Sequence, residues 1–65
     1  MMLEFTSHGD KVSINPDQIS AVNVLKIYVE DTPIKSWVFL NSGKGYEIDQ
    51  EYDEVMRMIR EVYGE

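Results

Sequence analysis

The chain has 65 residues, 43% hydrophobic and 28% charged, with twelve acidic residues against six basic and a formal charge of −6. A chain of this length has room for one domain, expected over residues 1–65, and buries only about 60% of its unfolded surface, so its own core leaves it marginally stable. With no cysteine and one histidine it forms neither a disulfide nor a Cys-based zinc site, and its negative balance repels phosphate backbones, which disfavours direct nucleic-acid binding.

No apolar run reaches the roughly 18 residues of a membrane span. The start Met1-Met2-Leu3-Glu4 lacks the charged and apolar regions of a signal peptide, so the expectation is a cytoplasmic protein without membrane insertion. The apolar fraction, with four Tyr, two Phe and one Trp, argues for a packed core rather than a disordered tail. Small domains that lack staples gain stability by association, which predicts a homo-oligomer or a domain resting on another protein.

Leu3-Glu4-Phe5-Thr6 alternates apolar with polar, and the turn formers Ser7-His8-Gly9-Asp10 follow, which predicts a hairpin returning through Lys11-Val12-Ser13-Ile14. Asn15-Pro16-Asp17 breaks the alternation. It is either a plain corner or one helical turn capped by Asn15 with Pro16 at its first position. Residues 19–30 are rich in Ile, Val and Tyr. The face that starts with Val22 and Val24 turns polar at Lys26, which predicts a bend, a bulge or a switch of exposed face near Val24 to Lys26.

Asp31-Thr32-Pro33 reads as a turn, and residues 34–40 as the clearest strand, with Ile34, Ser36, Val38 and Leu40 on one face and Lys35, Trp37 and Phe39 on the other. Asn41-Ser42-Gly43-Lys44-Gly45 reads as a hairpin loop leading to Tyr46-Glu47-Ile48. Asp49 is the expected N-cap of a helix over residues 50–63. Tyr52, Val55, Ile59 and Val62 recur at spacings of three and four, with Met56 turned inward, Met58 on the polar side and Gly64 ending the helix. The fold class is α+β: a small antiparallel sheet of four to five hairpin-connected strands packed against one C-terminal amphipathic helix.

Residue patterns that could carry chemistry each have a plainer reading. Glu47, Asp49, Glu51, Asp53 and Glu54 form the densest charge cluster, but lack the alternating ligands and turn glycine of a calcium loop, so they read as helix capping and a solvated acidic surface. His8 with Asp10 two residues on could tune an imidazole, yet a lone histidine in an exposed turn with no preorganised nucleophile does not make a catalytic centre. Gly43-Lys44-Gly45 lacks the spacing and the following helix of a phosphate loop. No catalytic residue, metal site or cofactor is expected, and the chain reads as a non-enzyme. Trp37 and Phe39 stand out, because they share a sheet face with Lys35, whose charge resists burial. That face is either a contact surface or a second core under a wrapped segment.

Met2-Leu3-Glu4-Phe5-Thr6, the turn at Gly9, Lys11-Val12-Ser13-Ile14 and the corner Asn15-Pro16-Asp17-Gln18-Ile19, followed by Val38-Phe39-Leu40-Asn41-Ser42-Gly43-Lys44-Gly45-Tyr46-Glu47-Ile48, an acidic helix start and Val55, resemble the small FlbD-like proteins associated with swarming motility and bacterial flagella. The resemblance implies a small accessory protein with no active site to carry over. Three functions are thus expected in order: a self-associating protein-interaction module, possible in a flagellar setting, that binds through Trp37, Phe39 and Lys35; an acidic inhibitor, of phage origin for example, acting on a nucleic-acid-binding protein or enzyme through charge; and a small-ligand binder whose pocket forms between subunits of an oligomer.

Overall fold

In a computed structural model, which describes residues 1–25 and 35–64, the chain runs β1 (Leu3–Ser7), β2 (Asp10–Ile14), a short 3-10 turn (Pro16–Gln18), β3 (Ile19–Val24), β4 (Ser36–Leu40), β5 (Gly45–Ile48) and α1 (Tyr52–Val62). The fold class is the expected α+β. The strands, however, divide into two antiparallel sheets, β1–β2 and β3–β4–β5, where one sheet was expected. The 3-10 turn supplies the reason: Pro16 sits at its first positions, the Asn15 side chain accepts from the Asp17 N–H at 3.0 Å, and the chain leaves β2 for a separate sheet. Of the two readings of this corner, the helical turn is the one adopted.

The β1–β2 register runs from Leu3↔Ile14 to Ser7↔Asp10 and leaves only His8 and Gly9 to make the turn. Both have positive φ, 51° and 85°, as a type I′ hairpin turn requires. Glycine adopts this region freely, and histidine is among the few other residues that tolerate it.

β3 holds a bulge at Ser20, where the register shifts between Ile19↔Leu40 and Ala21↔Phe39; the irregularity expected near Val24 to Lys26 runs outside the described residues. The Ser20 hydroxyl donates to the Phe39 carbonyl at 3.2 Å. The extra residue lets Ile19 and Val22, three apart, both turn to the core, which strict alternation forbids. The expected continuation of this strand to residue 30, the turn at Asp31-Thr32-Pro33 and the placing of Ile34 lie outside the described residues.

Leu3, Phe5, Ile14, Val38, Ile48 and Val55 form the buried core, so both sheets and the helix contribute to one apolar cluster. α1 lays Val55, Met58, Ile59 and Val62 on it. Met58 is therefore inward, contrary to expectation, because positions 55, 58, 59 and 62 share one helical stripe, while Met56 is half-buried outside the cluster. The expected N-cap also shifts: Glu51 caps α1 with no side-chain bond, and Asp49 is engaged elsewhere.

At the other end, the Tyr63 hydroxyl donates to Asp17 Oδ1 at 2.6 Å, tying the helix to the 3-10 turn. That hydrogen bond, with burial and the Asp17 charge, raises the Tyr63 pKa. Gly64 follows at φ 76°, and its N–H donates to the Glu61 carbonyl at 3.2 Å. Among the described residues, no helix is long and apolar enough to cross a membrane.

Candidate functional site

The register of the three-stranded sheet sets its outer face as three rows. Ala21, Phe39 and Gly45 make the first, and Asn23, Trp37 and Glu47 the second. The third joins Leu25 and Lys35, since the Leu25 N–H donates to the Lys35 carbonyl at 3.2 Å, while the Lys35 N–H donates to the Ile48 carbonyl at 2.9 Å. The central column is thus Phe39, Trp37 and Lys35, the three residues predicted to lie together.

Trp37 and Phe39 are half-buried and belong neither to the core nor to the apolar residues packed against it. Their rings meet edge to face, with centroids 5.3 Å apart and planes at 84°. Phe39 also lies over Gly45: a Cβ there would stand 2.8 Å from Phe39 Cε1. Gly45 was expected in the loop, but it begins β5, where its missing side chain makes room for the ring. Small Ala21 on one side and bare Gly45 on the other leave the aromatic pair standing above the sheet. At the rim, exposed Lys35 reaches Glu51 at 3.4 Å.

The acidic run is largely committed to contacts within the chain. Glu47 Oε2 accepts from His8 Nε2 at 2.9 Å; because a carboxylate only accepts, the ring donates through Nε2–H. Asp49 takes both N–H groups of the hairpin turn, His8 on Oδ1 and Gly9 on Oδ2, each at 3.0 Å. Burial pushes the Asp49 carboxyl up, but hydrogen bonds from the Gly9 N–H, the Thr6 side chain and the His8 N–H, with the His8 charge, outweigh it and hold the group below its ordinary value.

Glu51 pairs with Lys35, and Glu54 with Arg57, whose guanidinium also meets Glu61. The hydrogen bond from Arg57 lowers the Glu54 pKa, against a smaller opposing effect of burial. Asp53 lies exposed in the first turn of α1, where a negative charge suits the helix dipole. Between these acids, Gln50 holds Thr6 twice: its Oε1 accepts from the Thr6 N–H and its Nε2 donates to Thr6 Oγ1, both at 3.1 Å. Residues 47–50 thus fasten the hairpin to the second sheet, a role that local sequence patterns did not reveal.

The His8–Asp10 pairing does not form, since the imidazole turns to Glu47 across the fold. Gly43 has φ 92° in the loop, and the Leu40 N–H donates to the Lys44 carbonyl at 2.8 Å, so Gly43-Lys44-Gly45 closes a hairpin and its lysine lies 4.9 Å from the Tyr46 ring centroid. Among the described residues, no group of three or more His, Cys, Asp or Glu side chains is placed to hold a metal ion. No protein family, curated protein or solved structure matches the chain.

Proposed function

We propose that the chain is a small non-enzymatic protein-interaction module, probing either a second copy of itself or another protein with the outer face of its β3–β4–β5 sheet. Trp37 and Phe39 supply the binding energy and Lys35 marks the rim. The observation that carries this reading is the edge-to-face aromatic pair, half-exposed on the face turned away from the core. Full burial of an aromatic side chain removes roughly 150 to 250 Å² from water at about 25 cal/mol per Å², so the exposed half of each ring offers about 2 kcal/mol before the costs of association.

The resemblance to FlbD-like proteins suggests a flagellar setting for such a partner. Charge-driven inhibition finds less support, because Glu47, Asp49, Glu51 and Glu54 already engage groups of the same chain.

Sedimentation of the wild type and of Trp37→Ala and Phe39→Ala over a wide concentration range, at low and high salt and with flagellar proteins as candidate partners, tests the proposal. Each substitution is expected to weaken association roughly 30-fold, the equivalent of about 2 kcal/mol, with little effect of salt. Association that survives both substitutions in folded protein, or collapses with salt alone, rules out the aromatic face.

A further inference from the structure

The hairpin turn, the end of β5 and the aromatic face meet at one corner. Asp49 holds the two turn N–H groups, the His8 imidazole reaches Glu47, and Glu47 stands directly across from Trp37 in the β4–β5 register. His8 holds φ 51°, the left-handed conformation that the two-residue turn requires, at some cost for a residue with a Cβ. Just before the turn, Thr6 is gripped by Gln50, and Phe5 is buried in the core. The turn therefore has a fixed base and a tip held by carboxylates.

The geometry points to the His8–Gly9 turn as a strap along the rim of the Trp37–Phe39 face, fastened by Asp49 and drawn against Glu47, whose release changes the surroundings of Trp37 without unfolding the core. The tip is exposed, so its two N–H groups find water when the carboxylate lets go. Thr6 and Gln50 keep β1 in place. The consequence for binding rests on reading that face as a contact surface; the strap itself does not.

The charged groups around the Asp49 carboxylate are His8 and Asp10 on the hairpin, Lys35, whose N–H bonds the neighbouring Ile48 carbonyl, and Glu47 and Glu51 on its own segment. Asp49 has its pKa lowered in the fold, so its fastening is fully present above the unfolded carboxylate value and is lost as pH falls through the lower folded value. The strap is closed at neutral pH and opens in acid.

Amide and indole resonances of the isotope-labelled full chain, followed by NMR from neutral pH to about pH 2, test this, with Asp49→Asn as the variant that isolates its carboxylate from the other acids. The His8 and Gly9 amides and the Trp37 indole N–H are expected to move together, with one midpoint below the ordinary aspartate range, while the Val38 and Val55 amides stay in place. Asp49→Asn should abolish that inflection and raise hydrogen exchange at His8 and Gly9 about tenfold at neutral pH. A Trp37 indole that does not titrate, an inflection that survives Asp49→Asn, or core amides that shift in the same step would each overturn the strap. Failure of the Trp37→Ala and Phe39→Ala binding experiment would remove the contact surface and leave this titration unchanged.

Discussion

Ser36 is the fully buried polar residue of the described fold, with 0% of its surface exposed, and its hydroxyl donates to the Gln50 carbonyl at 2.9 Å. It joins β4 to the segment that leads into α1. Ser36→Ala removes that donor and leaves the carbonyl of half-buried Gln50 without this partner. A net hydrogen bond is worth about 1 kcal/mol, and a buried acceptor left without its partner raises the cost to about 2 kcal/mol. A domain of this size holds only roughly 3 to 10 kcal/mol in all. With a urea slope of about 1 kcal/mol per molar, the midpoint should fall by about 1 to 2 M. Trp37, the single tryptophan, reports the transition by fluorescence. Ser13→Ala, at an exposed strand position, serves as control and should stay within about 0.5 kcal/mol of the wild type. If Ser36→Ala unfolds at the same urea concentration as Ser13→Ala with an unchanged slope, the buried bond does not anchor the helix junction.

Val55→Ala should cost about 2 kcal/mol, from lost burial plus the cavity left at a position with no exposed surface, and should lower the thermal midpoint well beyond Met56→Ala; equal melting temperatures would refute the placing of the helix stripe. Gly45→Ala puts a Cβ 2.8 Å from Phe39 Cε1, so the half-exposed ring must swing out and break its edge contact with Trp37. The expected result is a loss of near-ultraviolet circular dichroism at a stability cost of about 1 kcal/mol; an unchanged aromatic spectrum would show that glycine is not required under the ring.

The legible parts of this fold are those set by nearest neighbours in sequence. Alternation placed β1, β2 and β4, the Asn-Pro-Asp corner offered its capped turn as one of two readings, and the apolar spacing from Val55 to Val62 announced the helix. The errors come where a distant group decides. Asp49 has the chemistry of an N-cap, and α1 would accept one there. The hairpin turn 40 residues earlier offers it two N–H groups instead, and the helix starts later, at Tyr52. The bulge at Ser20 likewise follows from the need to seat both Ile19 and Val22 on the core, a demand that appears only once β4 lies alongside. At the aromatic face, period-two alternation brought Lys35, Trp37 and Phe39 together correctly. The role of Gly45 stayed hidden, because a glycine after Asn-Ser-Gly-Lys looks like one more loop residue until the register sets it opposite Phe39.

The net charge of −6 belongs to the whole chain, and its distribution decides where a partner gains energy. A cation approaching the stretch from Glu47 to Glu54 meets carboxylates that already hold His8, the turn N–H groups, Lys35 and Arg57. It must displace those contacts, and the exchange of one solvent-exposed ion pair for another gains little, since such pairs are worth about 0 to 1 kcal/mol. The aromatic pair faces no such exchange with the described core: Trp37 and Phe39 touch each other and the glycine gap, and their exposed halves still gain by leaving water. Charge then acts on this molecule mainly inward. It ties the hairpin to the second sheet and sets the rim of the face, while on the proposed reading the energy offered to a partner lies in the two rings between Ala21 and Gly45.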